Sequence, residues 1–106
     1  DDAELTRRAD EAYAQIARPV PADDGSPIVR GVDLRAGALP GLPASIAGRV
    51  ILRAAFDLGA SVTRADVLAV LDLAGGRPGR QRSLSMGLRA RRDRAYVHLA
   101  RTSSER

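Results

Sequence analysis

The feature that most constrains this chain is a change of hydrophobic period at the segment GGRPGR (75–80). Upstream of it apolar residues recur at helical spacing, and downstream they recur at every second residue. A helix gathers one face from positions three and four apart, whereas a strand gathers it from alternate positions. Helices are therefore expected before the segment and a short β structure after it.

The helical period is clear in three places. Leu5, Ala9, Ala12, Tyr13 and Ile16 share one face of an amphipathic helix spanning 1–18. Pro19 and Pro21 end it, because proline cannot continue the ladder and restricts the residue before it. A second helix runs from Ala44 to Leu58, with Ile46, Val50, Ala54 and Leu58 in one row and Ile51 and Ala55 beside it. Arg49 and Arg53 lie on a neighbouring strip, and Gly59 stands where a left-handed residue closes a helix. The third helix starts with Thr63 as N-cap and Asp66 at the third position, the spacing of a capping box, with Val62 and Val67 placed for a hydrophobic staple. It runs through Val67, Leu68 and Leu71 to Gly75-Gly76, completing a helix pair over 44–75. ADDGSP (22–27) reads as a loop by composition. Residues 28–43 carry too many Gly and Pro for regular structure, although Asp33 could cap a single turn over Leu34–Leu39.

Beyond the period change, Leu84, Met86, Leu88 and Ala90 alternate with Ser83, Ser85, Arg89 and Arg91. Val97 and Leu99 alternate with Tyr96, His98 and Ala100, and Arg92-Asp93-Arg94 can form the turn between. The spacing predicts a β-hairpin over 82–101 with a basic exposed side, followed by a frayed TSSER. The expected fold class is mainly α with a small C-terminal β-hairpin or meander. Its order is helix, irregular link, helix pair and basic hairpin, in a single domain over 1–106.

A chain of 106 residues, 44% hydrophobic and 28% charged, fits one ordinary globular domain. Only Tyr13, Phe56 and Tyr96 are aromatic, so aliphatic residues and alanine must pack the core. The absence of cysteine rules out disulfides and thiolate metal sites and agrees with a cytoplasmic location. No apolar run approaches the roughly 20 residues of a membrane span, and no signal-peptide pattern is present. The helix begins at once without an initiator Met, from which we expect the segment to be excised from a longer chain.

Charge is unevenly placed. Residues 1–72 hold eight Arg against eleven Asp and Glu, a net of −3; residues 73–106 hold nine Arg against two acids, a net of +7. Seven arginines fall within GRPGRQRSLSMGLRARRDR (76–94) alone. Such asymmetry points to a polyanionic partner at the C-terminal end, or to a solvated basic face.

Signs of catalysis are lacking in the residues themselves. His98 is the only histidine, so a His-based metal cluster is unavailable, and it reads as a polar strand residue. The adjacent acids Asp1-Asp2 and Asp23-Asp24 lack the opposed placement that paired acid–base chemistry needs. GGRPGRQRS has no GK[ST] and so is not a phosphate-binding P-loop. GRPG (76–79) matches the GxxG pattern of a KH loop, but that loop joins two helices and strand period follows here, so a turn is expected. A helix pair followed by a hairpin also fits a winged-helix DNA-binding domain. Its groove helix would be TRADVLAVLDLA, where Arg64 is outnumbered by Asp66 and Asp72.

LPASIAGRVILRAAFDLGASVTRADVLAVLDLAGG (42–76) followed by LSMGLRARRDRAYVHLAR (84–101) resembles tRNA(Ile)-lysidine synthetase downstream of its catalytic domain. That family has a Leu-Pro step opening a helix with an R-x-x-L-R-type core, here Arg49 to Arg53. A Gly turn, a second helix and a strand pair around a glycine follow, here Gly59, TRADVLAVLDL and Gly87. ELTRRADEAYAQIA is similar to the long helix leading out of the catalytic domain, and VDLRAGALPGLP to the link that follows. The family's S-G-G-x-D-S ATP-pyrophosphatase loop does not occur in this chain. The resemblance thus implies an accessory tRNA-binding region. The parent enzyme would use ATP and Mg to join lysine to an anticodon cytidine, and no catalytic residue of it lies here.

On this reading Arg77, Arg80 and Arg82 of the loop and Arg89, Arg91, Arg92 and Arg94 of the hairpin are the expected contacts to a tRNA backbone, with Arg49 and Arg53 next. With only Tyr96 nearby, stacking platforms are few, and recognition of shape and phosphate is expected. Some of these arginines could instead pair with the acidic first half or with the missing catalytic domain. A protein–protein module is the remaining alternative, with Leu34, Leu39 and Leu42 forming an apolar patch.

Overall fold

The computed structural model describes residues 2–22, 24–25 and 29–101. Three helices and five strands follow in the order α1 (Asp2–Ile16), β1 (Ala17–Val20), β2 (Gly31–Arg35), α2 (Ala44–Asp57), α3 (Arg64–Ala74), β3 (Gln81–Ser83), β4 (Leu88–Arg92) and β5 (Tyr96–Arg101). The strands form one antiparallel sheet in the order β1-β2-β5-β4-β3. This corrects the expected mainly α class: the molecule is a small α+β domain, and its sheet is not confined to a C-terminal hairpin.

The correction comes from two segments. The supposed irregular link contains β2, in which Val32 and Leu34 are fully buried while Asp33 and Arg35 face outward. Five residues complete the strand, and its flanking glycine and turn residues mark its ends. Asp33 therefore caps nothing; the 3-10 turn that follows at Ala36–Ala38 has Arg35 at its N-cap, with no side-chain bond. The second segment is β1, where the chain passes from helix to strand at Ala17 without a loop. The helix stops at Ile16, short of the predicted residue 18, and Pro19 lies in an edge strand, the place in a sheet where its missing N–H is tolerated.

The helix pair and the first helix form as their spacing predicts. Ile46, Val50, Ile51, Ala54, Ala55 and Leu58 are all buried, and Gly59 takes the left-handed conformation at φ +78°. Thr63 and Asp66 complete a reciprocal capping box: the Thr63 N–H donates to Asp66 Oδ2 at 2.9 Å, and the Asp66 N–H to Thr63 Oγ1 at 3.2 Å. The second oxygen of Asp66 accepts the N–H of Ser85 at 3.2 Å, tying the start of α3 to the connection before β4. Burial alone would raise this carboxyl's pKa, but the bonds from Ser85 and Thr63 outweigh it and hold the group below the usual carboxylate range.

All three helices cover one face of the sheet. Val32, Leu34, Leu88, Ala90, Val97 and Leu99 point from the strands into a single core with Tyr13 and Ile16 of α1, Val50 and Ile51 of α2, and Val70 and Leu73 of α3. Each of the larger side chains, taken wholly out of water, contributes roughly 1.5–3 kcal/mol. The predicted strand alternation fails only at 84–87, where Ser85–Gly87 makes a 3-10 turn with Met86 at φ +57° and 57% exposed. Arg101 then anchors β5 to the helical layer, donating to the carbonyls of Leu58 and Gly59 at the C-terminal end of α2. The TSSER tail and most of the ADDGSP–Ile28 region lie outside the described residues.

Candidate nucleic-acid interface

The alternation that buries one side of the sheet leaves the other side uncovered by any described helix or strand, and its residues come from both halves of the sequence. Register places Arg18 opposite Asp33, Asp33 opposite His98, His98 opposite Arg91, and Arg91 opposite Gln81. With strands about 4.8 Å apart, this row crosses the sheet over roughly 19 Å. Beside it Arg35 faces Tyr96 on one flank, while Gly31, Ala100, Arg89 and Ser83 form the next row on the other. Four arginines and one aspartate thus occupy these outward positions.

The side chains are held in specific ways. Arg18 Nη1 donates to the Tyr96 hydroxyl at 3.1 Å, with its guanidinium carbon 5.8 Å from the ring centroid, within cation–π range. His98 Nδ1 is hydrogen-bonded to Asp33 Oδ1, and both side chains remain partly exposed. A Cβ on Gly31 would lie 2.9 Å from His98 Cε1, so the glycine leaves the space into which the imidazole leans. Arg91 is ion-paired only at the surface, 3.6 Å from Asp93. Such exposed pairs contribute about 1 kcal/mol or less and exchange readily for another anion. Arg35 and Arg89 are exposed, and neither pairs with an acid among the described residues.

The predicted site residues do not all meet here. Arg89 and Arg91 lie on the open face, and Arg94 is exposed at the hairpin turn. Arg92 belongs to the inner register of β4, and its Nη1 donates to the carbonyls of Asp93 and Arg94. Arg82 also takes the inner register, opposite Ala90, and pairs with Asp72 of α3 at 3.5 Å. This is one of the contacts anticipated between the basic and acidic halves. Arg77 and Arg80 are exposed in the α3–β3 turn, where the Gly79 N–H donates to the Arg92 carbonyl at 2.7 Å.

Arg49 and Arg53 stand apart on the helical layer, facing α1. Arg49 donates to Thr6 Oγ1 at 3.4 Å; Arg53 sits 4.8 Å from the Tyr13 ring centroid and pairs with Asp10 and Asp57. Tyr13 donates its hydroxyl to Asp57 at 2.6 Å. Burial, the Asp57 bond and its negative charge push the phenol well above the ordinary tyrosine range.

Arg18, Asp33 and Arg35 were missed by sequence reasoning, although V-D-L-R carries the same alternation as L-R-A-R-R. The proposed apolar patch also fails, because Leu34 and Leu39 are fully buried. Among the described residues, the large apolar ones actually exposed are Leu52, Phe56, Leu68 and Met86. Among the described residues no helix is long and apolar enough to cross a membrane, and no group of three or more His, Asp or Glu could hold a metal ion. Comparison with protein-family models and with curated proteins finds no match to the chain.

Proposed function

We propose that this chain is the tRNA-binding accessory region of a lysidine-synthetase-like enzyme of the cytoplasm, and that the RNA lies on the open face of the sheet. The observation that carries the reading is the gathering of Arg18, Arg35, Arg89 and Arg91 beside Tyr96 and His98 on one uncovered surface. Guanidinium groups pair bidentately with phosphate and also stack on bases, and RNA is gripped largely through its backbone. The α3–β3 turn, with Arg77 and Arg80, extends the positive surface past the β3 edge. The segments that resemble the family's downstream region, 42–76 and 84–101, form α2, α3 and the β4–β5 hairpin. In this reading ATP and Mg act in the parent's catalytic domain, and the helical layer, with Phe56 and Leu52 exposed between α1 and α2, faces that domain.

Binding of folded isoleucine tRNA across a salt series tests the reading. Arg89→Ala with Arg91→Ala should weaken binding and reduce the slope of log K against log salt by about 1.5, from roughly 0.7–0.9 per phosphate contact. Unchanged affinity and slope would remove both arginines from the interface.

A second reading, a winged-helix DNA-binding domain, is favoured by connectivity. β2 stands between α1 and the helix pair and aligns with β5 of the hairpin, the strand arrangement of that fold. Against it, the exposed side of α3 offers Leu68 and Asp72 beside the single cation Arg64, whereas a helix between phosphate backbones needs positive charge. Duplex DNA binding more tightly than tRNA in the same series would favour this alternative.

A further inference from the structure

We propose that the open face takes an unpaired segment of RNA, with Tyr96 and His98 as platforms for successive bases; this rests on the RNA-binding reading above. Phosphate contact alone would be satisfied by arginines on any surface, but here they surround two rings. Tyr96 and His98 are two residues apart on β5, so both side chains rise from the same face about 7 Å apart. β5 is the central strand, which places the rings in the middle of the sheet with two strands on either side.

Each ring is held in place before any ligand arrives. Tyr96 is fixed through its hydroxyl by Arg18, whose planar guanidinium supplies a further surface on which a base can stack. His98 is fixed through Nδ1 by Asp33 and leans into the space left by Gly31. Arg35 flanks Tyr96, and Arg91 flanks His98, so each platform has a phosphate partner beside it. Bases within a duplex are already stacked and turn their edges outward, so such platforms serve only bases free of a partner strand. This goes beyond the shape and phosphate grip expected when Tyr96 was the sole ring in view.

The test uses the 106-residue chain, a single-stranded uridine octamer and an eight-base-pair RNA duplex. The chain has no Trp and two Tyr, so a Tyr13→Phe variant leaves Tyr96 as its only strong emitter. The octamer should quench that emission and bind more tightly than the duplex. By calorimetry, which needs no emitter, Tyr96→Ala should lower octamer affinity about 5- to 150-fold, the range for losing one base–aromatic stack. Tyr96→Phe, which keeps the ring and loses the bond to Arg18, should stay within about threefold of the parent, separating stacking from a folding defect. If no nucleic acid binds, the RNA-binding reading falls and takes this inference with it. If RNA binds but the duplex is preferred, or Tyr96→Ala leaves octamer affinity unchanged, the stacking inference is overturned while the phosphate grip stands.

Discussion

Asp66 joins two parts of the chain that otherwise have no covalent reason to stay together. Its carboxylate accepts the Thr63 N–H within the capping box and the Ser85 N–H from the β3–β4 connection, 19 residues away. Asp66→Ala removes both acceptors. A hydrogen bond to a charged group contributes about 1.5–3 kcal/mol, and a carboxylate near a helix N-terminus adds about 0.3–1 kcal/mol. Thr63 is exposed, so water recovers much of its loss, whereas Ser85 is half-buried and recovers less. The sum comes to about 3 kcal/mol, or a fall in Tm of roughly 10–15 °C for a domain of this size. Thr63→Ala, which gives up a single neutral acceptor, should cost only about 1 kcal/mol.

The acid limb supplies the sharper test. Asp66 has a folded pKa held below its unfolded value. Its contribution is therefore full above the unfolded carboxylate pKa near 4 and is lost as pH falls from there through the folded value. Urea melts of the parent and Asp66→Ala should differ most at pH 7 and converge toward pH 2. A cost at pH 7 no greater than that of Thr63→Ala would refute the cross-link to Ser85. A difference constant down to pH 2 would refute the role of the charge.

Two further outcomes probe the core and the α1–α2 contact. Leu34→Ala should cost about 2–5 kcal/mol by urea melt, as for a buried strand leucine, while Leu52→Ala, 45% exposed on α2, should stay within about 1 kcal/mol; equal costs would contradict the β2 assignment. Tyr13 is protonated in the folded state to a pH well above that of its unfolded phenol, so stability should decline as pH rises past about 10. Tyr13→Phe should remove that part of the decline in alkaline melts.

The helices were legible because each carried several independent signs. In α3, for example, Thr63, Asp66 and Gly75 mark the ends, although the face it buries is that of Val70 and Leu73, and Leu68, one of the residues through which the sequence traces the helix, is exposed. β2 carried only one sign, the alternation of Val32 and Leu34 with Asp33 and Arg35, within a segment whose Gly and Pro dominate any local reading. Strand assignment depends on partners, and β2 lies between β1, itself hidden behind a helix signal and two prolines, and β5, some 65 residues further along. The same distance explains the partial view of the site. Arg89, Arg91, Tyr96 and His98 could be placed on one side by alternation alone, but Arg18 and Arg35 join them only through pairing across the chain. Alternation also cannot report which arginines turn inward to a carbonyl or an acid, as Arg92 and Arg82 do.

The position of β5 has a kinetic consequence. It is the last strand along the described chain and the middle one in space, flanked by a strand from the first half and another from the second. Until it arrives, β1-β2 and β3-β4 are two separate ribbons, each a pair too small to be stable in water. During synthesis the helices can form as they emerge, but the rings and arginines of the open face come together only when β5 closes the gap. Long-range closure of this kind is slow relative to helix formation. The face proposed to hold RNA would thus be assembled in one late step, after nearly all of the domain has been made.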